Sequence, residues 1–451
     1  MYDPQAILDH YQKPVPRYTS YPTAPQFKED VGAKLFAAAL PALEPTDPVS
    51  AYLHIPFCDR LCWFCGCHTK HTLKYAPISR YIQSLIHEIQ LFAVQLSFKP
   101  VLGALHLGGG SPSLLKREDL VALREVLDRT FQIDHRTEIS IEIDPSDVNT
   151  DTIAALLEFG LTRASVGVQD FHEDVQTAIN RPQSFEITRD VILQLREAGV
   201  KSINVDALYG LPLQSEDRLL RTIEQCISLK PERMALFGYA HVPWLKKHQN
   251  LIKTEDLAGP FERYQHAQSA SKHLIEAGYQ IIGIDHFALP EDSLANAARS
   301  QKLHRNFQGY TTDCHKTMIG FGASSIGRFA DGYVQNTVPT HQYQSQISND
   351  ELPKNKGLML TEEDRLRGHI IERLMCDFTV DFNTLDKFPS ALVDTCLQQA
   401  RLFAMQDEFD LCSMTGTQLH IKPQARAFTR IIAAHFDSYY APEQFQYSKA
   451  I

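Results

Sequence analysis

Residues 51–67 read AYLHIPFCDRLCWFCGC, an apolar strand, Ala51–Ile55, running straight into a loop with four cysteines. Cys58, Cys62 and Cys65 have the spacing C-x3-C-x2-C, and Cys67 follows two residues later. Three thiolates suit a four-iron cluster with one iron unprotected. Protein-held clusters ordinarily take four cysteines, and leaving one position free lets a ligand bind the metal, much as catalytic zinc keeps an open site. The alternatives are a structural zinc knot with Cys67 as fourth ligand, or thiols that merely cluster in a loop. Zinc sites mostly pair two knuckles separated by a longer insert, whereas this group is compact and follows a barrel-type strand. Cys67 reads equally as a redox or proton-handling group or as a packed thiol.

Outward from this stretch, between about Val49 and Ile284, short apolar runs alternate with segments of helical period, the pattern of β/α units around a parallel sheet. The strand candidates are Ala51–Ile55, Ala104–Leu107, Ile139–Ile143, Ala164–Val168, Ile203–Ala207 and Met234–Phe237, with Tyr279–Ile284 as a further element. Ile78, Ile82, Leu85, Ile86, Ile89, Ala93 and Leu96 mark one apolar face of a long helix, and Leu219, Leu220, Ile223, Cys226 and Ile227 mark another behind a Ser215 cap. Cys226 therefore reads as core. The fold expected is α/β, a partial (β/α)6 barrel with chemistry on loops at the carboxyl ends of its strands. The chain turns polar around 340–360, before Thr361 and Asp364 give a helix-start signal. We expect an N-terminal segment 1–48, a barrel with its extension 49–345, and a mostly helical domain 346–451 with a short β segment near Leu411–Ile421.

The second strand ends in Gly108, Gly109, Gly110, Ser111 and Pro112, where three residues without Cβ let backbone approach a ligand closely. In the third, Glu138, Ser140 and Glu142 alternate on one face, which places Glu142 to accept hydrogen bonds from ribose hydroxyls if that face looks inward. Gln169, Arg181 and Asp206 end or follow successive strands. Each alone reads as structural; as a ring of polar groups they read as the lining of one pocket.

Composition bounds the partners. The chain has 451 residues, 43% of them hydrophobic, and a formal net charge of −10, enough for a large core and without a basic block to neutralise a nucleic-acid backbone. The first twenty residues hold charges and no apolar core of a leader, and no run approaches eighteen apolar residues, so a cytoplasmic protein without a membrane span is expected. Nine cysteines in so long a chain, four within ten positions, are not a disulfide framework. An anionic small molecule fits if positive groups gather in one pocket.

The cysteine spacing resembles that of the radical S-adenosylmethionine superfamily, in which the cofactor chelates the fourth iron and is cleaved to a 5′-deoxyadenosyl radical. Together RYTSYPT from Arg17, YLHIPFC from Tyr52, GGGSP from Gly108, SIEIDP from Ser140, GVQDF from Gly167, NVDALYGLP from Asn204 and HRNFQGYTT from His304 resemble the bacterial oxygen-independent coproporphyrinogen III oxidase family. The resemblance implies a six-unit barrel, a helical C-terminal domain, an N-terminal segment contributing to the active site, a [4Fe-4S] cluster and two S-adenosylmethionine molecules. It implies Cys58, Cys62 and Cys65 as cluster ligands. Tyr52, Gly109, Glu142 and Ile326 would contact the cluster-bound cofactor, and Phe64, Gly110, Ser111, Gln169, Arg181, Asp206 and Ala240 the second. Ser111 stands where threonine is expected and keeps the hydroxyl. The implied substrate, coproporphyrinogen III, has four propionates, which demand cationic partners; Arg17, His304 and Arg305 are the candidates, with Tyr52 and Cys67 beside the chemistry. Decarboxylation of two propionates to vinyls breaks a carbon–hydrogen bond that acid–base groups cannot, so a cofactor must supply the radical. A low-potential donor such as a flavodoxin or ferredoxin and a monomeric state go with that family. Three rivals remain: a haem-binding chaperone paralogue, against which the RYTSYPT segment and Cys67 stand; a radical methylase, against which HRNFQGYTT stands; and a zinc-stabilised interaction module.

Overall fold

A computed structural model describes residues 3–11 and 14–441. Its frame is one 12-stranded sheet. Six strands are parallel and separated by helices: β1 (Val49–Ile55), β2 (Leu102–Gly109), β3 (Glu138–Ile143), β4 (Arg163–Gln169), β5 (Ser202–Tyr209) and β6 (Arg233–Gly238). Beyond β6 the expected element at 279–284 becomes two short antiparallel strands, β7 (Gln280–Ile282) and β8 (His286–Ala288). On the other side β9 (Met318–Phe321) adds parallel to β1, followed by an antiparallel run of β10 (Ile326–Phe329), β11 (Gly332–Asn336) and β12 (Lys354–Met359). The order is β12-β11-β10-β9-β1-β2-β3-β4-β5-β6-β8-β7, so the barrel is open.

Alternation along each strand sorts the side chains. Leu53 and Ile55, Leu105 and Leu107, Ile139, Ile141 and Ile143, Ala164, Val166 and Val168 are buried against the helical shell. The residues between them, Tyr52, His106, Ser140, Glu142, Ser165 and Asp206, turn to the other face, where His106 bonds Ser140 and Glu142, Ser165 bonds Asp206 and Tyr52 bonds His54. A parallel sheet covered on both faces is ordinarily apolar on both, so a polar inner face marks a lumen built for a ligand.

The helix Ala76–Ala93 buries the stripe Ile78, Ile82, Leu85 and Ile89, and Phe92 at its end packs against Phe131 and Phe321. The same stripe carries Glu88, fully buried, which accepts hydrogen bonds from Lys354 Nζ at 2.9 Å, Asn336 Nδ2 at 2.8 Å, Tyr343 Oη at 2.8 Å and the Gly322 N–H at 2.7 Å. This knot ties the antiparallel strands to the barrel. It also accounts for the polar stretch around 340–360: the expected boundary at 345/346 falls inside the helix Thr340–Ser348, and β12 beyond it still belongs to the large sheet because Lys354 turns inward to Glu88.

After β12 the helix Glu362–Asp377 starts on a reciprocal cap between Thr361 and Asp364. With the helices Ser390–Gln406 and Thr429–Ala434 and a small sheet of Thr379–Asp381, Cys412–Thr415 and Gln418–Ile421 it forms a second core. Ile7, Val15, Tyr18 and Tyr21 belong to that core. Tyr18 Oη donates to Asp437 Oδ2 at 3.1 Å and Tyr21 Oη meets Ser438 Oγ at 2.9 Å, so the N-terminal segment is fastened to the C-terminal domain while it crosses to the barrel. Among the described residues no helix is long and apolar enough to cross a membrane.

Candidate active site

The cysteine loop leaves β1 and lies against the glycine turn that ends β2. The Gly110 N–H donates to Ile55 O at 2.8 Å and the Ser111 N–H to Phe57 O at 2.7 Å. A Cβ on Gly110 would stand 2.4 Å from Phe57 O, and one on Gly109, whose φ is +114°, would stand 2.4 Å from the His54 ring. These glycines thus bring the cysteine loop and the turn together, a closer approach than any side chain allows. The sequence suggested a grip on a ligand's amino group; the close contacts seen are with the loop itself and with Glu142, which accepts the Gly109 N–H at 3.0 Å.

Burial pushes the Cys58 thiol up to about 12, helped by the charges of Cys65 and Cys62, and burial raises Cys62 as well. Cys65 is lowered to about 7 chiefly by a hydrogen bond from the Cys67 thiol, with the Cys67 N–H, 3.4 Å from Cys65 Sγ, adding to it; the thiol–thiol bond raises Cys67. Three neighbouring thiols that resist joint ionisation are suited to a cationic metal centre, which deprotonates a coordinating thiol outright. Among the described residues no three His, Cys, Asp or Glu side chains converge on a single ion, and a cluster, whose irons take one thiol each, does not need them to. Cys58, Cys62 and Cys65 therefore fit an iron–sulfur cluster with Cys67 bonded to a ligand thiol.

Inside the barrel each polar group is placed by its neighbour. Tyr52 stacks on His106 at 5.8 Å, and its hydroxyl meets His54 Nδ1 at 3.0 Å. His54 Nε2 faces the His68 carbonyl at 2.9 Å, which can only accept, so Nε2 carries the proton and Tyr52 donates to Nδ1. Burial holds Tyr52 well above and His54 below their ordinary values, so both stay neutral. His106 spans Ser140 Oγ at 2.6 Å and Glu142 Oε1 at 3.4 Å. Burial works to raise Glu142, but the His106 and Gly109 bonds outweigh it and the carboxyl is lowered, an anion ready for hydroxyl donors.

Gln169 ends β4 at φ +68°, beside a bulge in the β4–β5 pairing, and is held in the left-handed region by that irregularity. Arg181 is buried and three-way bonded: Nη1 to Asp144 at 2.9 Å and to Cys62 Sγ at 3.6 Å, Nη2 to Gly167 O at 3.0 Å. It ties a cluster cysteine to the end of β4. Asp206 accepts from Ser165 Oγ at 2.9 Å and Asn204 at 2.8 Å, and burial raises its pKa. Ser111 is buried and its hydroxyl bonds toward Cys58. Ile326 opens β10 across from Gly320, which pairs with Tyr52. Phe64 packs in a small cluster with Val175, Ile179 and Tyr239.

The residues that clasp the cysteine loop from outside gave no signal in the sequence. Gln249, buried, donates from Nε2 to Phe64 O at 2.9 Å and Ala240 O at 3.2 Å and accepts the Val242 N–H at 2.6 Å. His248 meets Cys65 O at 2.8 Å and Lys246 donates to Cys67 O at 2.8 Å. Three carbonyl groups of the loop are thus held by one segment after β6.

The three candidates for carboxylate binding separate. Arg17 donates to Gly238 O at 3.0 Å and Arg305 reaches Arg17 O at 3.5 Å, so these two meet above the carboxyl ends of the strands. His304 instead pairs with Glu372 at 3.2 Å. They are neighbours in the short strand His304–Asn306, and adjacent strand residues face opposite ways.

The open parallel barrel, the three-thiol loop after its first strand and the glycine turn beside it define a radical S-adenosylmethionine enzyme. The sequence pattern of the radical SAM superfamily matches residues 52–226. The chain is 45% identical over 440 residues to an anaerobic coproporphyrinogen III oxidase of Cereibacter sphaeroides, covering 97% of this chain and 96% of that one. It is 36% identical over 439 residues to the oxygen-independent coproporphyrinogen III oxidase of Escherichia coli, covering 96% and 95%. The solved structure of the Escherichia coli coproporphyrinogen III oxidase, a radical SAM enzyme, superimposes with a TM-score of 0.90 at 35% identity, covering 98% of this chain and 99% of that one. The chain belongs to the family of oxygen-independent coproporphyrinogen III oxidases. A [4Fe-4S] cluster and S-adenosylmethionine are cofactors of this enzyme class.

Proposed function

We propose that this protein converts coproporphyrinogen III to protoporphyrinogen IX without oxygen, turning the propionates of rings A and B into vinyls on the path to haem. The likeness that carries this reading runs along nearly the whole chain, including the N-terminal segment and the hairpin of the paired strands His304–Asn306 and Gly309–Thr311, outside the residues that the superfamily pattern matches. When bound, the cluster and S-adenosylmethionine would supply the radical chemistry that an unactivated propionate carbon–hydrogen bond demands. The residues of this chain bind and orient. Cys58, Cys62 and Cys65 hold the cluster, and Tyr52, Gly109, Glu142 and Ile326 seat the cofactor. Phe64, Gly110, Ser111, Gln169, Arg181, Asp206 and Ala240 surround a second S-adenosylmethionine.

Tyr52, locked as a donor to His54, serves as a wall of the lumen and not as an acid. Arg17 and Arg305 take substrate carboxylates, while His304 fixes the hairpin through Glu372. Cys67 donates its backbone N–H to the ligand thiol of Cys65. A low-potential flavodoxin or ferredoxin supplies the electron, and the protein acts as a cytoplasmic monomer whose N-terminal segment belongs with the active site. The test is anaerobic reconstitution with iron and sulfide, then reductant, S-adenosylmethionine and coproporphyrinogen III. Protoporphyrin fluorescence and 5′-deoxyadenosine should rise together and vanish in Cys62→Ala. Cofactor cleavage without porphyrin product would refute the substrate and leave the radical chemistry standing.

A further inference from the structure

Two arginines that nothing in the sequence singled out stand with Arg17 and Arg305. Arg263, on the helix Pro260–Glu276, lies across the carboxyl ends of β5 and β6. Its Nη2 donates to Tyr239 O at 2.7 Å, and a Cβ on Gly210 or Gly238 would stand 2.8 Å or 3.2 Å from its guanidinium. Those strand-end glycines leave the room it occupies. Arg430, on the helix Thr429–Ala434, comes from the C-terminal domain and interacts with Arg17, Arg305, Tyr209 and Asp285. Arg17 in turn feels Cys67 of the cluster loop.

Three other buried or part-buried arginines each have a carboxylate of their own. Arg181 has Asp144 at 2.9 Å, Arg233 has Asp292 at 2.8 Å and Arg373 has Asp377 at 2.6 Å. Among the described residues Arg17, Arg263 and Arg430 have none within 4.0 Å, and Arg305 reaches Asp285 only at 3.8 Å. Asp285 is itself bonded to His286 at 2.7 Å. Arg263 Nε, Arg430 Nε and both Nε and Nη1 of Arg305 are buried without a hydrogen-bond partner. A buried donor left without an acceptor is destabilising, the more so on a charged group, and guanidinium cannot shed its proton to escape that. Burial lowers Arg263, and Arg430 to about 10, as expected of cations short of anions, while Arg17 meets them from the exposed side of the arginine cluster.

We infer that Arg17, Arg263, Arg305 and Arg430 form one receptor for the substrate's carboxylates, assembled from the N-terminal segment, a barrel helix, the hairpin and the C-terminal domain. This rests on the proposed reading only for the identity of the ligand, a macrocycle with several propionates. Guanidinium matches carboxylate in two parallel bonds, and a receptor at the carboxyl ends of β5 and β6 holds the ligand at the barrel mouth. The C-terminal domain thereby delivers Arg430 over the barrel mouth, and the N-terminal segment fastened to it delivers Arg17.

The experiment titrates the anaerobically reconstituted holoenzyme with coproporphyrin III, the oxidised tetra-acid, and with its tetramethyl ester, following porphyrin fluorescence. The parent should prefer the tetra-acid. Arg430→Gln and Arg263→Gln should each weaken tetra-acid binding about 10- to 100-fold, the size of a lost charge-assisted bond, and leave ester binding unchanged. Arg430→Lys, which keeps the charge, should recover part of the loss. Equal binding of acid and ester by the parent, or parallel loss of both in the variants, would overturn the receptor. Tight, arginine-dependent binding of the tetra-acid without turnover of coproporphyrinogen III would uphold the receptor and refute the proposed reaction instead.

Discussion

Replacing Gln249 by alanine tests whether the segment after β6 governs cluster retention. The side chain is 1% exposed and makes three hydrogen bonds, to Phe64 O, Ala240 O and the Val242 N–H. Its removal leaves three backbone groups without partners, at about 1 kcal/mol net each, so local opening of the clasp becomes easier by about 3 kcal/mol. At 1.36 kcal/mol per tenfold, that is roughly a 100-fold larger open fraction. Lys246 and His248, bonded to Cys67 O and Cys65 O, remain to hold the loop, so the protein should still fold and load iron. The assay is transfer of iron to excess chelator under anaerobic conditions, followed by bleaching of the cluster absorbance. Iron loss about 100-fold faster than in the parent is expected. Loss within about threefold of the parent, in a variant that has lost thermal stability, would show that the clasp supports the fold and not the cluster.

Other expectations follow from the same reasoning about partners. Lys354→Met should destabilise the protein by about 3–5 kcal/mol, since it breaks a buried pair by removing the cation that Glu88 faces; denaturant unfolding of the holoenzyme reads this, with iron release from the loop little changed. Gly110→Ala forces a Cβ against Phe57 O, so iron content after reconstitution should fall while the far-ultraviolet circular dichroism is kept. His315 is raised above 6.5 by its hydrogen bond to Asp313, against the opposing effect of burial. Its contribution is therefore full below pH 6.5 and lost as pH rises through the raised value, and His315→Gln should lower thermal stability at pH 6 more than at pH 9. Glu372 behaves oppositely: burial would raise it, but His304 and Arg373 bring it down to about 2. Its contribution is present above 4.5 and lost as pH falls toward 2, so Glu372→Gln should flatten the acid limb of stability in that interval.

Much of the frame was legible because periodicity is written in side chains. The apolar partners of each parallel strand, the stripe of the helix Ala76–Ala93 and the caps at Ser215 and Thr361 all read directly. Cys226 is core, as its helical position implied. The polar stretch near 345 misled because one lysine, Lys354, turns inward to a glutamate more than 250 residues earlier, a partnership that composition cannot display. At the site, the thiols and the strand-end ring were visible as residue types at telling positions. Gln249, His248 and Lys246 were not, because they act on backbone carbonyls and a polar loop looks the same whether or not it grips one. Arg263 and Arg430 sit at ordinary polar helix positions, and only the fold shows that they lack carboxylate partners. His304 and Arg305 could not be told apart until the strand placed them on opposite faces.

The most direct test of the central claim uses coproporphyrinogen III deuterated at the β-positions of its propionates. If the cofactors held by Cys58, Cys62, Cys65 and the strand-end ring take that hydrogen, mass spectrometry of 5′-deoxyadenosine from a single anaerobic turnover will show deuterium incorporated alongside vinyl product. Unlabelled 5′-deoxyadenosine accompanying the same product would contradict it, since hydrogen would then have come from elsewhere and the barrel would not be presenting the propionate to the radical.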